Sequence, residues 1–329
     1  MNRYAGVLLS VTSLPSKYGI GCFDRAAYDF VDWLEKAGQR YWQILPLGAT
    51  SHGGSDDSPY QAYSAFAGNP YLISLENLIE EGALTRQECD ELDFGKNPAK
   101  VDFVALNQNR LTLLHKAYER SHIGENEAFH AFCRENSWWL DDYALFMALK
   151  TFFGGVSFRQ WPEDIRMHWG FALDYYNREL YFDVEFQKYL QFQFDRQWTK
   201  LKAYANSKHI QIVGDIPIYV SPDGADVWAH PELFQLDESQ DRATKMLKYI
   251  GNIVVKEQEG HKFYDAPRFP PVTGNRPDGL KQMLDAKGPK AVADWVLGQK
   301  KLLICDTTCR DAHQSLLATR VRTRDIVKG

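Results

Sequence analysis

Gly6-Val-Leu-Leu-Ser-Val11 and Tyr41-Trp-Gln-Ile-Leu-Pro-Leu47 are two apolar runs, and the 24–36 stretch between them carries Ala27, Phe30, Val31 and Leu34 at helical spacing. Gly38 is placed to end that helix. Strand, helix and strand within about 45 residues predict a βαβ unit, with parallel strands and a right-handed crossover. The Gly/Ser/Asp-rich stretch 48–58 leaves the C-terminal end of the second strand. In a parallel α/β barrel that end is the functional face.

Working outward, residues 76–158 read as helical, with Thr85 and Glu88 spaced as a capping box. A helical block of that length between strands is an insertion rather than an ordinary crossover. Residues 184–205 read as a long helix rich in Phe, Tyr and Leu. A further strand begins at Ile210 and should stop near Asp215, because Gly214 and Pro217 interrupt it. That places the Asp215 carboxylate at a strand's C-terminal mouth. After Glu238 the character changes. Residues 237–242 are polar, 267–279 carry four prolines and two glycines, 289–299 read as a helix with Pro at its first turn, and 301–305 as a buried strand.

The 329 residues are 44% apolar and 25% charged, with net charge −5. These values are those of a folded globular chain with no basic stripe for nucleic acid. The aromatic share of 14%, with nine Trp and seventeen Tyr, fits either a sugar-binding cleft or a large core. The five cysteines, Cys22, Cys89, Cys133, Cys305 and Cys309, are odd in number and scattered. This favours reduced thiols in a cytoplasmic protein over a disulfide framework. No signal peptide is legible at the N-terminus, and no apolar run approaches the ~18 residues of a membrane span.

Several stretches carry a family resemblance. They are Thr12-Ser-Leu-Pro-Ser16 with Tyr18-Gly-Ile-Gly21, Tyr41-Trp-Gln-Ile-Leu-Pro-Leu-Gly48, Ser58-Pro-Tyr-Gln61 with Ser64-Ala-Phe-Ala-Gly-Asn-Pro-Tyr71, Trp139-Leu-Asp-Asp-Tyr-Ala-Leu-Phe146, Gly214-Asp-Ile-Pro-Ile-Tyr219 and Asp226-Val-Trp-Ala-His-Pro-Glu-Leu-Phe234. In order and spacing they resemble the N-terminal half of amylomaltase-type 4-α-glucanotransferases over residues 3–238. The resemblance implies an α/β fold, a partial (β/α)8 (TIM-type) barrel with a large helical insertion. It also implies transfer of α-1,4-glucan segments with retention, by a chemistry that needs no metal or organic cofactor. The partner it implies is a maltooligosaccharide.

By that resemblance Ser58 and Tyr60 belong to the sugar-binding cleft, and a tyrosine with an apolar face and a polar tip suits that place. Asp215 is read as an acceptor for sugar hydroxyls or for a neighbouring residue. Asp226 and Trp228 are read as lining the cleft, with packing the alternative for Trp228. Asp141 and Asp142 are read as capping or solvating a helix. His52 with the Asp56-Asp57 pair departs from the family's usual loop and puts an outer sugar contact in doubt.

The family's nucleophile lies in an Arg-Ile-Asp-His-Phe-Arg-Gly run, with an acid/base Glu and a third carboxylate later, and none of these runs occurs in this sequence. Instead Asp241-Arg-Ala-Thr-Lys-Met-Leu-Lys-Tyr-Ile-Gly-Asn252, Gly288-Pro-Lys-Ala-Val-Ala-Asp-Trp295 and the run from Asp306 to Asp325 resemble pyruvate carboxylase up to the first strand of its carboxyltransferase barrel. That resemblance implies Asp311 as a metal ligand and Arg310 and Gln314 as keto-acid contacts. The modified Lys and two His that complete the site are missing, and one carboxylate does not hold a catalytic ion, so no metal is expected. The expectation is therefore a chain joined near 238–241, with domains 1–240 and 241–329. It should be truncated before its catalytic carboxylates, inactive alone and prone to self-association through exposed barrel edges.

Overall fold

The computed structural model describes residues 4–50, 58–95, 97, 100–215, 217, 221–234 and 280–298. The chain divides into two compact units, Met1–Val254 and Val255–Gly329.

The first unit begins as the sequence predicts. Strand β1 (Gly6–Leu8) leads to helix α1 (Arg25–Lys36) and strand β2 (Tyr41–Gln43). Asp24 caps α1 by accepting from the Ala26 N–H at 3.0 Å. Ala27, Val31 and Leu34 form the buried stripe of α1, and Gly38 takes the left-handed conformation, φ 68°, that lets the chain turn back. Strand β3 (Gln211–Val213) completes a parallel sheet in the order β1-β2-β3, with Gly6, Tyr41 and Gln211 in register.

All three strands are shorter than the apolar runs that announce them. After Leu8 the chain turns into a 3-10 segment, Val11–Ser13, where the Ser10 and Thr12 hydroxyls bond each other at 2.7 Å. Pro46 lies just beyond β2, and Gly214 ends β3. The sheet has two unlike faces. Val7, Trp42 and Ile212 pack with α1, Leu201 and Ala205, and the Trp42 indole donates to the Leu9 carbonyl at 2.8 Å. On the other face Leu8 is 58% and Val213 41% exposed.

Between β2 and β3 the chain is helical. The helices are α2 (Leu75–Glu80), α3 (Arg86–Asp90), α4 (Phe103–Ala105), α5 (Leu111–Arg120), α6 (Glu127–Phe152), α7 (Glu163–Arg166), α8 (Gly170–Glu179) and α9 (Tyr181–Ser207). A π-type turn, Leu106–Arg110, joins α4 to α5, and Thr85 with Glu88 forms the anticipated capping box. The helices α6 and α9 pack along their lengths. One core gathers α2, α3 and α5 against α9, and a second gathers α7, α8 and the short helix α10 (Ala225–Ala229) against α6.

Buried polar groups fix the loops on this scaffold. Arg110 is fully buried and donates to the carbonyls of Tyr18 and Ile73 at 3.1 and 2.6 Å. On α9, the Gln191 amide accepts from Gly68 N–H at 2.7 Å and donates to Gly68 C=O at 3.0 Å, while Gln197 accepts from Ser74 N–H at 2.7 Å. Those amides satisfy backbone groups that burial would otherwise strand.

In the second unit helix α11 (Leu280–Leu297) is broken at Gly288, φ 77°, and resumes at Pro289. The helix predicted from 289 is this second segment, with Pro where its missing N–H costs nothing. The strand expected at 301–305 lies outside the described residues. So do His52, Asp56, Asp57, Cys305, Cys309, Arg310, Asp311 and Gln314. Among the described residues no helix is long and apolar enough to cross a membrane.

Candidate functional site

The loop that follows β2 folds back on itself at the C-terminal end of the sheet. Antiparallel bridges join Gly48 to Gly68 and Thr50 to Ala62, and Asn69 N–H reaches the Leu47 carbonyl at 2.8 Å. The grip of Gln191 on Gly68 holds this returning strand against α9. Among the loop's described residues is a turn in which Gln61 N–H bonds the Ser58 carbonyl at 3.0 Å. Ser58 thus shapes the turn that presents Tyr60.

Tyr60 is 45% exposed, and its hydroxyl donates to Asp215 Oδ2 at 2.7 Å. Asp215 stands two residues beyond β3. Two residues read separately from the sequence, 155 positions apart, therefore meet where two parallel strands end. The residue stays partly exposed while its hydroxyl is held. This arrangement suits stacking against an apolar ring face, with a carboxylate beside it to accept hydroxyl hydrogens.

Asp226, at the start of α10, braces the same loop. It accepts from the Ser64 hydroxyl at 2.9 Å and from Ala65 N–H at 2.7 Å, while Ala225 N–H bonds the Tyr63 carbonyl at 2.7 Å. Gly224 is required here, because a Cβ would stand 2.8 Å from the Tyr63 carbonyl oxygen. Burial raises the Asp226 carboxyl above the ordinary carboxylate range, and the Ala65 and Ser64 bonds hold it back in part. Both Asp226 oxygens are committed to the loop, so its place is that of a brace.

Trp228 does not line the cleft. It is 1% exposed, its indole N–H donates to the Ile165 carbonyl at 2.9 Å, and its ring packs on Phe146, Trp161 and His168. Of the two readings of this residue, packing is the one the coordinates support. Asp141 and Asp142 lie within α6, not at its end, so they do not cap it. Asp141 pairs with Lys188 at 2.8 Å, and Asp142 with His168 Nε2 at 2.8 Å.

Two features escape a sequence reading. The first is Lys150, 5% exposed near the end of α6. Its Nζ donates to Asp223 Oδ2 at 2.6 Å and to the Val156 carbonyl at 3.0 Å. Asp223 Oδ1 in turn accepts from the Ser157 hydroxyl and from Phe158 N–H, both at 3.0 Å. This pair ties α6 to the segment that carries Asp226. Its only trace in the sequence is an Asp three residues before Asp226.

The second is a groove of about 240 Å³ beside the brace, lined among others by Phe66, Trp138, Trp139, Asp142, Asp226 and His230. Phe66 and Trp138 are 52% and 61% exposed and meet edge to face at 4.7 Å. Trp138 directly precedes a motif already singled out, and that adjacency was the available signal. Among the described residues no three His, Cys, Asp or Glu side chains gather to hold a metal ion.

Comparison with known proteins agrees with this placement. Residues 9–253 match the family model described as 4-alpha-glucanotransferase (Glyco_hydro_77), past the edge at 238 that the motifs suggest. The 4-alpha-glucanotransferase of Clostridium butyricum is 47% identical over 230 residues, which are 70% of this chain and 47% of that protein. That of Thermus thermophilus is 46% identical over 240 residues, 72% of this chain and 46% of the other. The amylomaltase from Streptococcus agalactiae, solved in complex with acarbose, superposes with a TM-score of 0.68 at 42% identity, covering 73% of this chain and 48% of that one. The chain spans about half the length of the curated relatives it matches. With motif order, parallel sheet and loop geometry all in agreement, the chain belongs to the 4-alpha-glucanotransferase (amylomaltase) family.

Proposed function

We propose that this chain binds α-1,4-glucans at the mouth formed by Tyr60 and Asp215, as the binding half of a 4-α-glucanotransferase. The observation that carries the reading is the Tyr60 hydroxyl on Asp215, which fixes an exposed ring at the end of two parallel strands. The acarbose bound by the Streptococcus agalactiae relative supports an oligosaccharide as ligand. On this reading the three strands are part of a (β/α)8 barrel over 1–240. Leu8 and Val213 face what would be its interior, and the helices from 76 onward are an insertion into it. Residues 241–329 are then a pyruvate-carboxylase-like segment in which Asp311, Arg310 and Gln314 have no complete site. The setting is cytoplasmic.

Retaining transfer needs a carboxylate to attack the anomeric carbon and a carboxylic acid, about 5–5.5 Å away, to protonate the leaving oxygen. The sequence holds no counterpart of the family's nucleophile run. The chain therefore binds glucan without transferring it, and transfer draws on carboxylates supplied from elsewhere. Two measurements on the purified chain test this. Titration with maltoheptaose should show saturable binding, and its absence would remove the binding reading. Incubation with maltotriose should yield neither glucose nor longer oligosaccharides; their appearance would show that the chain holds its own attacker and proton donor.

A further inference from the structure

The outer face of α8 is built unlike the rest of the helical region. Ala172, Leu173 and Tyr176 turn its inner face into the core shared with α6. Phe171, Asp174, Tyr175 and Arg178, at i, i+3, i+4 and i+7, share the opposite face, and all four are exposed. Phe171 is 65% and Tyr175 59% exposed. Beyond the helix break at Leu180, Tyr181 and Phe182 are 55% and 76% exposed. Large aromatic side chains exposed together on one helix face mark an interaction site.

Composition points to a protein as the occupant. The centres of protein interfaces are enriched in Phe, Tyr, Trp, Met and Arg, with other charged residues at the rim. Here Phe171, Tyr175 and Arg178 stand at the centre, and Asp174, Glu179 and Asp183 surround them.

The charges identify which protein. Among the described residues the side chains of Asp174 and Arg178 form no ion pair or hydrogen bond within the molecule. They are opposite in sign and one helical turn apart. When two copies of α8 lie antiparallel, outer face to outer face, about a two-fold axis at the level of residue 176, Asp174 of each copy meets Arg178 of the other. The face is complementary to itself, as an isologous interface requires.

We propose that the chain forms a two-fold dimer through the outer face of α8. This surface is separate from the sheet edges and independent of the sugar-binding reading. The aromatic side chains supply the affinity, and the reciprocal Asp174–Arg178 pairs fix register and exclude other partners.

Sedimentation velocity of the full chain tests it, from about 1 to about 100 µM, a range that spans ordinary homodimer affinities. The wild-type chain should show a concentration-dependent monomer–dimer equilibrium. Asp174→Arg and Arg178→Asp each place like charges in opposition and should weaken the dimer at least about tenfold. Mixed in equal amounts, the two variants should recover it, because one copy then presents two positive and the other two negative groups. Phe171→Glu should also dissociate the dimer. All these side chains are exposed, and unchanged circular dichroism will confirm that the variants fold. A monomer throughout the range overturns the proposal. So does a dimer indifferent to all three substitutions, which would place the contact elsewhere, for instance at the open strand edges. Failure of the mixture to recover the dimer overturns the two-fold register. Protection of Tyr175 by maltoheptaose on a chain that stays monomeric assigns the face to glucan instead.

Discussion

The ring and the hydroxyl of Tyr60 have separable tasks. The hydroxyl is engaged with Asp215, and on the proposed reading the partly exposed ring supplies the stacking surface. Tyr60→Phe removes one neutral-to-charged hydrogen bond at an exposed position and should change maltoheptaose affinity by less than about threefold. Tyr60→Ala removes the stacking surface and should weaken binding about tenfold, equivalent to about 1.4 kcal/mol. Calorimetric titration distinguishes them, and equal losses in both variants would mean that the hydroxyl, not the ring face, carries the contact. Both members of this pair were legible in the sequence, because a loop tyrosine and a strand-end aspartate are local features. Their meeting was not, since 155 residues separate them. Trp228 shows the converse difficulty. Its position after a Gly-Ala-Asp turn looks like a cleft wall, but the Ile165 carbonyl that satisfies its indole lies on another element and draws it into the core.

Elements were legible wherever the apolar period is carried by the segment itself. The stripe Ala27, Val31 and Leu34 determines α1, and the Thr85–Glu88 box determines the start of α3. The strands were overestimated because apolar residues continue past the last ladder bond into turns, as Val11 does in its 3-10 segment. What could not be read is how α9 grips the site loop. Gln191 holds Gly68 and Gln197 holds Ser74, each across 123 residues, and an amide in a helix gives no hint of such a partner. The α6–α10 tie is of the same kind, and it makes an ordered prediction. Asp223→Ala leaves the Lys150 ammonium 5% exposed with only carbonyls as acceptors. Lys150→Met leaves Asp223 with its Ser157 and Phe158 donors and with its side chain 34% open to water. The first should therefore cost more, about 3 kcal/mol against about 2 kcal/mol, both discounted from a fully buried pair for that exposure. Urea denaturation of the two variants checks the order, and the reverse order would mean that the carboxylate, not the ammonium, is the group stranded by its partner's loss.

For the whole molecule, two populations of carboxylates set the response to pH, and they act with opposite sign. Asp24 and Asp226 lie above the ordinary carboxylate range because burial disfavours their charged forms. Asp32 lies below it, held first by the Tyr204 hydroxyl. Asp90 is held down first by Lys17, and Glu88 first by Arg120. As pH falls from neutrality through the raised native values of Asp24 and Asp226, the folded state takes up protons before the unfolded state does, and stability increases. That gain is complete once pH drops below the unfolded carboxylate values near 4. The depressed groups contribute stability above about 4 and lose it as pH descends through their native values. Asp90 is exposed and Asp32 and Glu88 are half-buried near the surface, so water and salt screen each contribution. The thermal midpoint should accordingly rise from pH 7 to a maximum at roughly pH 5 and fall below about 4. Asp24→Asn retains an N-cap acceptor for Ala26 while removing one buried charge, so it should flatten the rise between neutrality and the maximum without moving the acid limb. A midpoint that declines steadily from pH 7 downward would mean that the exposed pairs outweigh the buried carboxylates, and that the desolvation of Asp24 and Asp226 is relieved in solution.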